Sequence, residues 1–140
     1  MNQEESTIRS FTGLRAWQEG HMLVLSIYKE IKDFPSVGAF GLTSQLRRIV
    51  VSITSNIAEG FSRNSFRDKI HFWNIALGSL TEVQSQLLIA RDVGHLTKKQ
   101  FDSVADQTVT VSKILNGLIK ATAKNMHLSK SLLFTYFLYT

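Results

Sequence analysis

Mostly apolar residues that recur every three or four positions constrain this chain more than any other feature. Phe101, Val104, Thr108, Val111, Leu115, Leu118 and Thr122 alternate spacings of three and four without a break. That rhythm keeps one face of a helix apolar for about six turns. Leu14, Trp17, His21, Val24, Tyr28 and Ile31 repeat it near the start of the chain. No segment offers the strict two-residue alternation of a half-buried strand. The single proline, Pro35, ends the first stripe, because it disfavours helical conformation at Phe34 and lacks the amide that would continue the ladder.

Start and stop signals divide the rest. The first helix is expected from about Gly13 to Lys32, followed by a compact turn from Phe34 to Phe40. A second helix, built on Leu46, Ile49, Val50, Ile53 and Ile57, is expected from Leu42 to Glu59, with Gly60 in the left-handed position that closes helices. Ser65 and Asp68 resemble a capping box for a third helix reaching Asp92, with Gly94 just beyond. Thr97 and Gln100 form a second box for a fourth helix running to about Lys124. Four amphipathic helices with short connections predict an all-α, up-down-up-down four-helix bundle. The expected organisation is a flexible N-terminus over residues 1–12, a bundle over 13–124 and an apolar, aromatic tail over 125–140.

Composition limits the function classes. Hydrophobic residues at 44% with 19% charged describe a soluble globular chain rather than a disordered one. The absence of cysteine excludes disulfides, thiolate metal sites and a cysteine nucleophile, and fits a cytoplasmic location. Residues 1–10 hold Glu4 and Glu5 and no apolar run, unlike a secretion signal. The net charge is +5, and all of it lies late: residues 1–60 carry six Lys/Arg against six Asp/Glu, and residues 61–140 ten against five. This balance favours an anionic partner such as RNA or DNA, held through phosphates.

Some apolar residues exceed what one core stripe needs. Met22, Leu25 and Ile27 in the first helix, and Phe72, Trp73, Ile75, Leu88 and Ile89 in the third, suggest burial against another subunit. The run from Leu132 to Tyr139 is far shorter than the roughly 20 residues of a membrane span. A tail docked on the bundle or on another subunit is expected, with interfacial membrane binding as the alternative; the partners expected do not include a membrane.

The polar residues of helices two and three invite a chemical reading. Asn56 and Glu59 stand among Ile53, Ile57 and Ala58, where a carboxylate must either be satisfied near the helix end or be held neutral. Ser52, Ser55, Asn56 and Glu59 form one strip, and Ser79 and Glu82 another; such strips can fix helix register or subunit geometry. Gly78, in mid-helix, costs about 1 kcal/mol relative to alanine, so close approach by another backbone is expected there. Glu59 and Glu82 could serve as an acid/base pair, but no nucleophile, histidine partner or phosphate-cradling loop accompanies them, and no enzymatic activity is expected. Residues Ser62 and Ser85 stand where a di-iron bundle would need histidine. His21, His71, His95 and His127 have no partner one turn away, so no metal site and no cofactor are expected. Arg47 and Arg48 on the outer face of helix two, with Arg63, Arg67 and Lys69, are the candidate nucleic-acid contacts.

These segments resemble a known family. The stretches are Leu14 to Trp17, Phe34-Pro35 with Phe40 to Arg48, Ser52 to Arg63, Ile75 to Glu82, Gln86 to Leu96, and Ile114 to Ile119. Together they resemble the small four-helix-bundle proteins encoded in intervening sequences of bacterial 23S ribosomal RNA genes, relatives of the accessory variability protein of diversity-generating retroelements. The resemblance covers about residues 10–122. It implies a non-enzymatic bundle forming a ring-like homo-oligomer, a homopentamer, with basic surface for nucleic acid; the retroelement relatives assist a reverse transcriptase. On this resemblance Arg47, Arg48 and Arg63 are the foremost RNA or DNA contacts, and Asn56, Glu59, Gly78, Ser79 and Glu82 are architectural. Val37, Gly38 and Ala39 depart from the family pattern, which often has an acidic residue there. A protein-interaction scaffold without nucleic-acid binding is the competing expectation.

Overall fold

The computed structural model describes residues 11–139, including the side chains of all but residues 36–40. A 3-10 turn, Phe11–Gly13, leads into α1 (Arg15–Ile31), α2 (Ser36–Ser62), α3 (Phe66–Asp92) and α4 (Lys98–Tyr139). The expected flexible N-terminus lies outside the described residues as far as position 10. Backbone neighbours are α1 with α2, α2 with α3, α3 with α4, and α4 with α1; among the described residues no helix approaches the one diagonally opposite. This is the up-down-up-down arrangement of an all-α four-helix bundle.

Local chemistry sets most helix ends. Ser65 Oγ accepts from the Asp68 amide at 3.1 Å and caps α3. At α4 the capping box is complete: Thr97 Oγ1 accepts from the Gln100 amide at 3.2 Å, and Gln100 Oε1 accepts from the Thr97 amide at 2.8 Å. Gly94, with φ of 84°, reverses the chain after α3, and the amides of His95 and Leu96 close onto the Ala90 carbonyl.

Three boundaries differ from expectation. The compact turn expected over Phe34 to Phe40 shrinks to the first two residues, because Pro35 is the residue before α2 rather than part of a loop. Proline suits a helix start, where its missing amide costs nothing. At the other end α2 passes through Gly60 to Ser62, and Gly60 is a buried helical residue instead of a left-handed terminator. Finally, α4 does not stop near Lys124 but continues through Tyr139.

The core runs along the bundle axis. Leu23 and Ile27 of α1 meet Leu46, Val50, Ile53 and Ile57 of α2, Leu80 and Val83 of α3, and Val104, Val111 and Leu115 of α4, all fully buried. The buried face of α1 is Ala16, Gly20, Leu23, Ile27 and Ile31. The expected stripe through Trp17, His21 and Tyr28 is therefore rotated by one residue from the actual one. His21 and Tyr28 are exposed, and His21 stacks on Trp17 at 4.8 Å. Small residues explain the choice: a Cβ at Gly20 would stand 3.2 Å from Thr54 Cγ2, so α1 and α2 approach closely at that level.

A second glycine matters more. Trp73 of α3 is buried and donates its indole Nε1–H to the Ile57 carbonyl at 3.1 Å. A Cβ at Gly60 would lie 2.5 Å from that nitrogen and 3.1 Å from the Lys69 carbonyl oxygen. Gly60 thus leaves the space that lets an indole wedge between α2 and α3. No helix of the bundle itself approaches Gly78: this residue is exposed, with nothing of the described chain within 4 Å of its would-be Cβ.

Candidate nucleic-acid interface

The residues expected to bind nucleic acid fall into two groups. Arg47 and Arg48 lie on the exposed face of α2, across from α1. The Arg47 guanidinium sits 5.8 Å from the ring centroid of Tyr28, within cation–π range, and Arg48 Nη2 donates to Gln45 Oε1 at 3.0 Å. Together with Thr43, Ser44 and Val51 these residues line an open depression of about 510 Å³. Two permanent cations, two hydroxyls and a phenol ring can hold a phosphate and stack against a base or sugar. Tyr28, expected in the buried stripe of the first helix, and Thr43 and Ser44 were not among the expected contacts. Their signal was present, since an aromatic ring on α1 next to paired arginines on α2 is a nucleic-acid pattern, but it needs the α1–α2 register to be seen.

Arg63, Arg67 and Lys69 stand at the α2–α3 turn, about 15 residues from the first pair, or ~23 Å along α2. Two of them hold the turn together. Arg63 pairs with the Glu59 carboxylate and lies 4.5 Å over the Phe72 ring. Lys69 Nζ donates to the Phe61 carbonyl at 2.6 Å and lies 5.3 Å from the Phe61 ring. Arg67 is exposed. The two groups are therefore separate patches rather than one site.

The polar strips meet at one point. Ser52 and Ser79 share a hydrogen bond of 2.9 Å across the α2–α3 seam, and Asn56 Nδ2 donates to the Ser52 carbonyl at 2.8 Å and to its hydroxyl at 3.1 Å. Ser55 is exposed and takes no part in this seam. Glu59 is not at core depth: its side chain is 49% exposed, near the helix end, with its oxygens served by Arg63. Glu82 is likewise exposed. Glu59 lies seven residues beyond Ser52 toward the turn, whereas Glu82 lies three residues beyond Ser79 away from it. On antiparallel helices this separates the two carboxylates by about ten residue rises, ~15 Å, too far for joint acid/base work. Among the described residues no three His, Asp or Glu side chains converge as a metal site would require.

The family of 23S rRNA-intervening sequence proteins matches residues 12–117 of this fold, a range that includes both basic patches and the Ser52–Ser79 seam. The chain belongs to that family. A crystal structure of a protein with unknown function from the S23 ribosomal protein family of Bacteroides thetaiotaomicron is similar at 25% sequence identity and a TM-score of 0.68. The likeness covers 75% of this chain and 98% of the other. No curated protein matches this one.

Proposed function

We propose that this member of the intervening-sequence family is a non-enzymatic, self-associating bundle that binds RNA or DNA through its basic surface. The observation that carries the reading is the depression where Arg47 and Arg48 stand beside Tyr28, Thr43 and Ser44. Net charge supports it, since +5 per chain in a homopentamer would place about +25 in one particle and steepen its attraction for phosphates. Exposed apolar side chains support self-association: Met22 is 53% and Leu25 51% exposed on α1, and Ile75, Leu88 and Ile89 are exposed on α3. Recognition of this kind is by charge and shape, without base-specific chemistry. It suits a cytoplasmic accessory to a nucleic-acid enzyme such as a reverse transcriptase. The same exposed apolar residues favour a second reading, a scaffold whose partner is another protein.

Fluorescence anisotropy with structured RNA and with duplex DNA, across a salt series and on protein of known mass, separates the two. Affinity that falls steeply with salt, and that Arg47→Glu/Arg48→Glu abolishes with helicity unchanged, supports nucleic-acid binding. Absence of binding at low salt refutes it. A captured protein partner that survives nuclease and high salt supports the scaffold.

A further inference from the structure

Helix α4 outruns the bundle it belongs to. From the turn at 93–97 the chain folds back, so the 27 residues of α3 are matched by residues 98–124 of α4. Since α4 has 42 residues, 15 remain, from Asn125 to Tyr139. At helical rise they project ~22 Å beyond the start of α3. Phe66, at that start, lies beside the root of the projection with Leu128, Leu132 and Tyr136 around a shallow depression of about 550 Å³.

The outer half of the projection, from Leu132 to Tyr139, is apolar in every direction. Leu132, Leu133, Phe134, Tyr136, Phe137, Leu138 and Tyr139 occupy successive 100° steps, all are exposed, and Phe137 reaches 76%. Thr135 alone interrupts them, and its hydroxyl donates to the Ser131 carbonyl at 2.9 Å, as those of Thr81 and Thr110 do to their own helices. A groove or one partner helix covers a single side of such a helix, and a cluster of copies of α4 leaves the outer sides bare; lipid covers all of them. The charge at the root is complementary to a lipid surface. Lys120, Lys124 and Lys130 of α4 stand there with Arg67 and Lys69 of α3, against Asp68 and the Arg63-paired Glu59, and no Asp or Glu occurs from Gln107 to Thr140. The eight residues from Leu132 to Tyr139 rise ~12 Å, less than half of the roughly 30 Å hydrocarbon core, and no described helix is long and apolar enough to cross a membrane.

From this we infer that the projecting end of α4 is an anchor for the surface of an anionic lipid bilayer. Leu132 to Tyr139 lie at the boundary of headgroups and acyl chains of one leaflet, where the open carbonyls of the last turn still reach headgroups and water, and Lys124, Lys130 and Arg67 hold the headgroup phosphates at its root. Interfacial binding is the alternative that the sequence offers to a docked tail, and the exposure of Leu132, Phe134, Phe137 and Tyr139 on a projecting helix favours it. The family match ends at residue 117, so the anchor lies outside the segment common to the family.

Flotation of the full chain with vesicles tests the assignment. Binding to mixed phosphatidylcholine and phosphatidylglycerol vesicles should exceed binding to pure phosphatidylcholine by about tenfold or more. Phe134→Ser/Phe137→Ser should abolish flotation without changing the melting temperature or nucleic-acid binding, because both residues lie outside the core. Lys124→Gln/Lys130→Gln should lower the preference for anionic vesicles, and Phe137→Trp should give indole emission that brominated acyl chains quench. Arg47→Glu/Arg48→Glu should leave flotation intact, which separates this assignment from the nucleic-acid reading. No flotation, or flotation unaffected by Phe134→Ser/Phe137→Ser, overturns it. So does a particle mass that falls in that variant without any vesicle binding in the parent, the signature of a second copy covering the helix.

Discussion

Gly60→Ala probes the contact that fixes the spacing of α2 and α3. The new methyl would stand 2.5 Å from Trp73 Nε1 and 2.7 Å from Cδ1, and the backbone carbonyl of Lys69 at 3.1 Å blocks the simplest retreat. Trp73 has to move, and with it the hydrogen bond from its indole to the Ile57 carbonyl. Overpacking a core costs about 1–3 kcal/mol. Leaving a buried donor unpaired costs about 1–3 kcal/mol more. Alanine returns at most about 1 kcal/mol of helix propensity, less in the last turn of α2. The net expectation is a loss of about 2–4 kcal/mol, which in a domain of this size lowers Tm by roughly 6–12 °C. Gly78→Ala is the internal control. It adds a methyl where nothing of the described chain lies within 4 Å and should raise stability by about 1 kcal/mol; a loss instead would mean that another copy packs on the Ile75–Ile89 face of α3. Urea unfolding followed by circular dichroism measures both. In a Trp73→Phe background the penalty at Gly60 should shrink, since the indole nitrogen is gone. A Gly60→Ala protein as stable as its parent, or a penalty unchanged by Trp73→Phe, would refute the wedge.

The helix ends and the turn offer further checks. Thr97→Ala removes the acceptor for the Gln100 amide and should cost about 1 kcal/mol, visible as a lower urea midpoint with an unchanged m-value. Gly94→Ala should cost at least about 1 kcal/mol by the same measurement, because its φ of 84° is strained for any residue with a Cβ. Glu59→Gln should change stability by no more than about 0.5 kcal/mol, since both members of the Arg63 pair are over two fifths exposed and water screens them. A larger loss, measured the same way, would mean that the carboxylate is covered in the assembled particle.

Legibility in the sequence followed the range of the interaction. Ser65 with Asp68, Thr97 with Gln100, and Gly94 act between residues three or four apart or on one residue's own φ, and each appears where the pattern placed it. The core stripes of α2 and α4 were equally readable, because one unbroken row of apolar residues leaves no choice of face. In α1 two rows compete, and the row containing Ala16 and Gly20 is buried because α2 presses close at Thr54; small size decided what apolar character could not.

Arg47 and Arg48 could be named from the chain, but Tyr28 joins them only through the register of α1 on α2. Of the two glycines that drew notice on α2 and α3, the chain suggested a terminator at Gly60 and a close approach at Gly78. The indole of Trp73 faces the first, and nothing faces the second. The overhang of α4 was not foreseen, the helix being expected to end near Lys124, although no glycine or proline follows Gly117 to stop it; that it stands clear of the bundle depends on where α3 begins. Helix existence, the caps at Ser65, Gly94 and Thr97, and fold class were thus determined by the sequence alone, because their hydrogen bonds and periodicity are local. Which face is buried, which glycine is filled and which charges share a patch were decided by tertiary packing, because each depends on what an opposing helix presents.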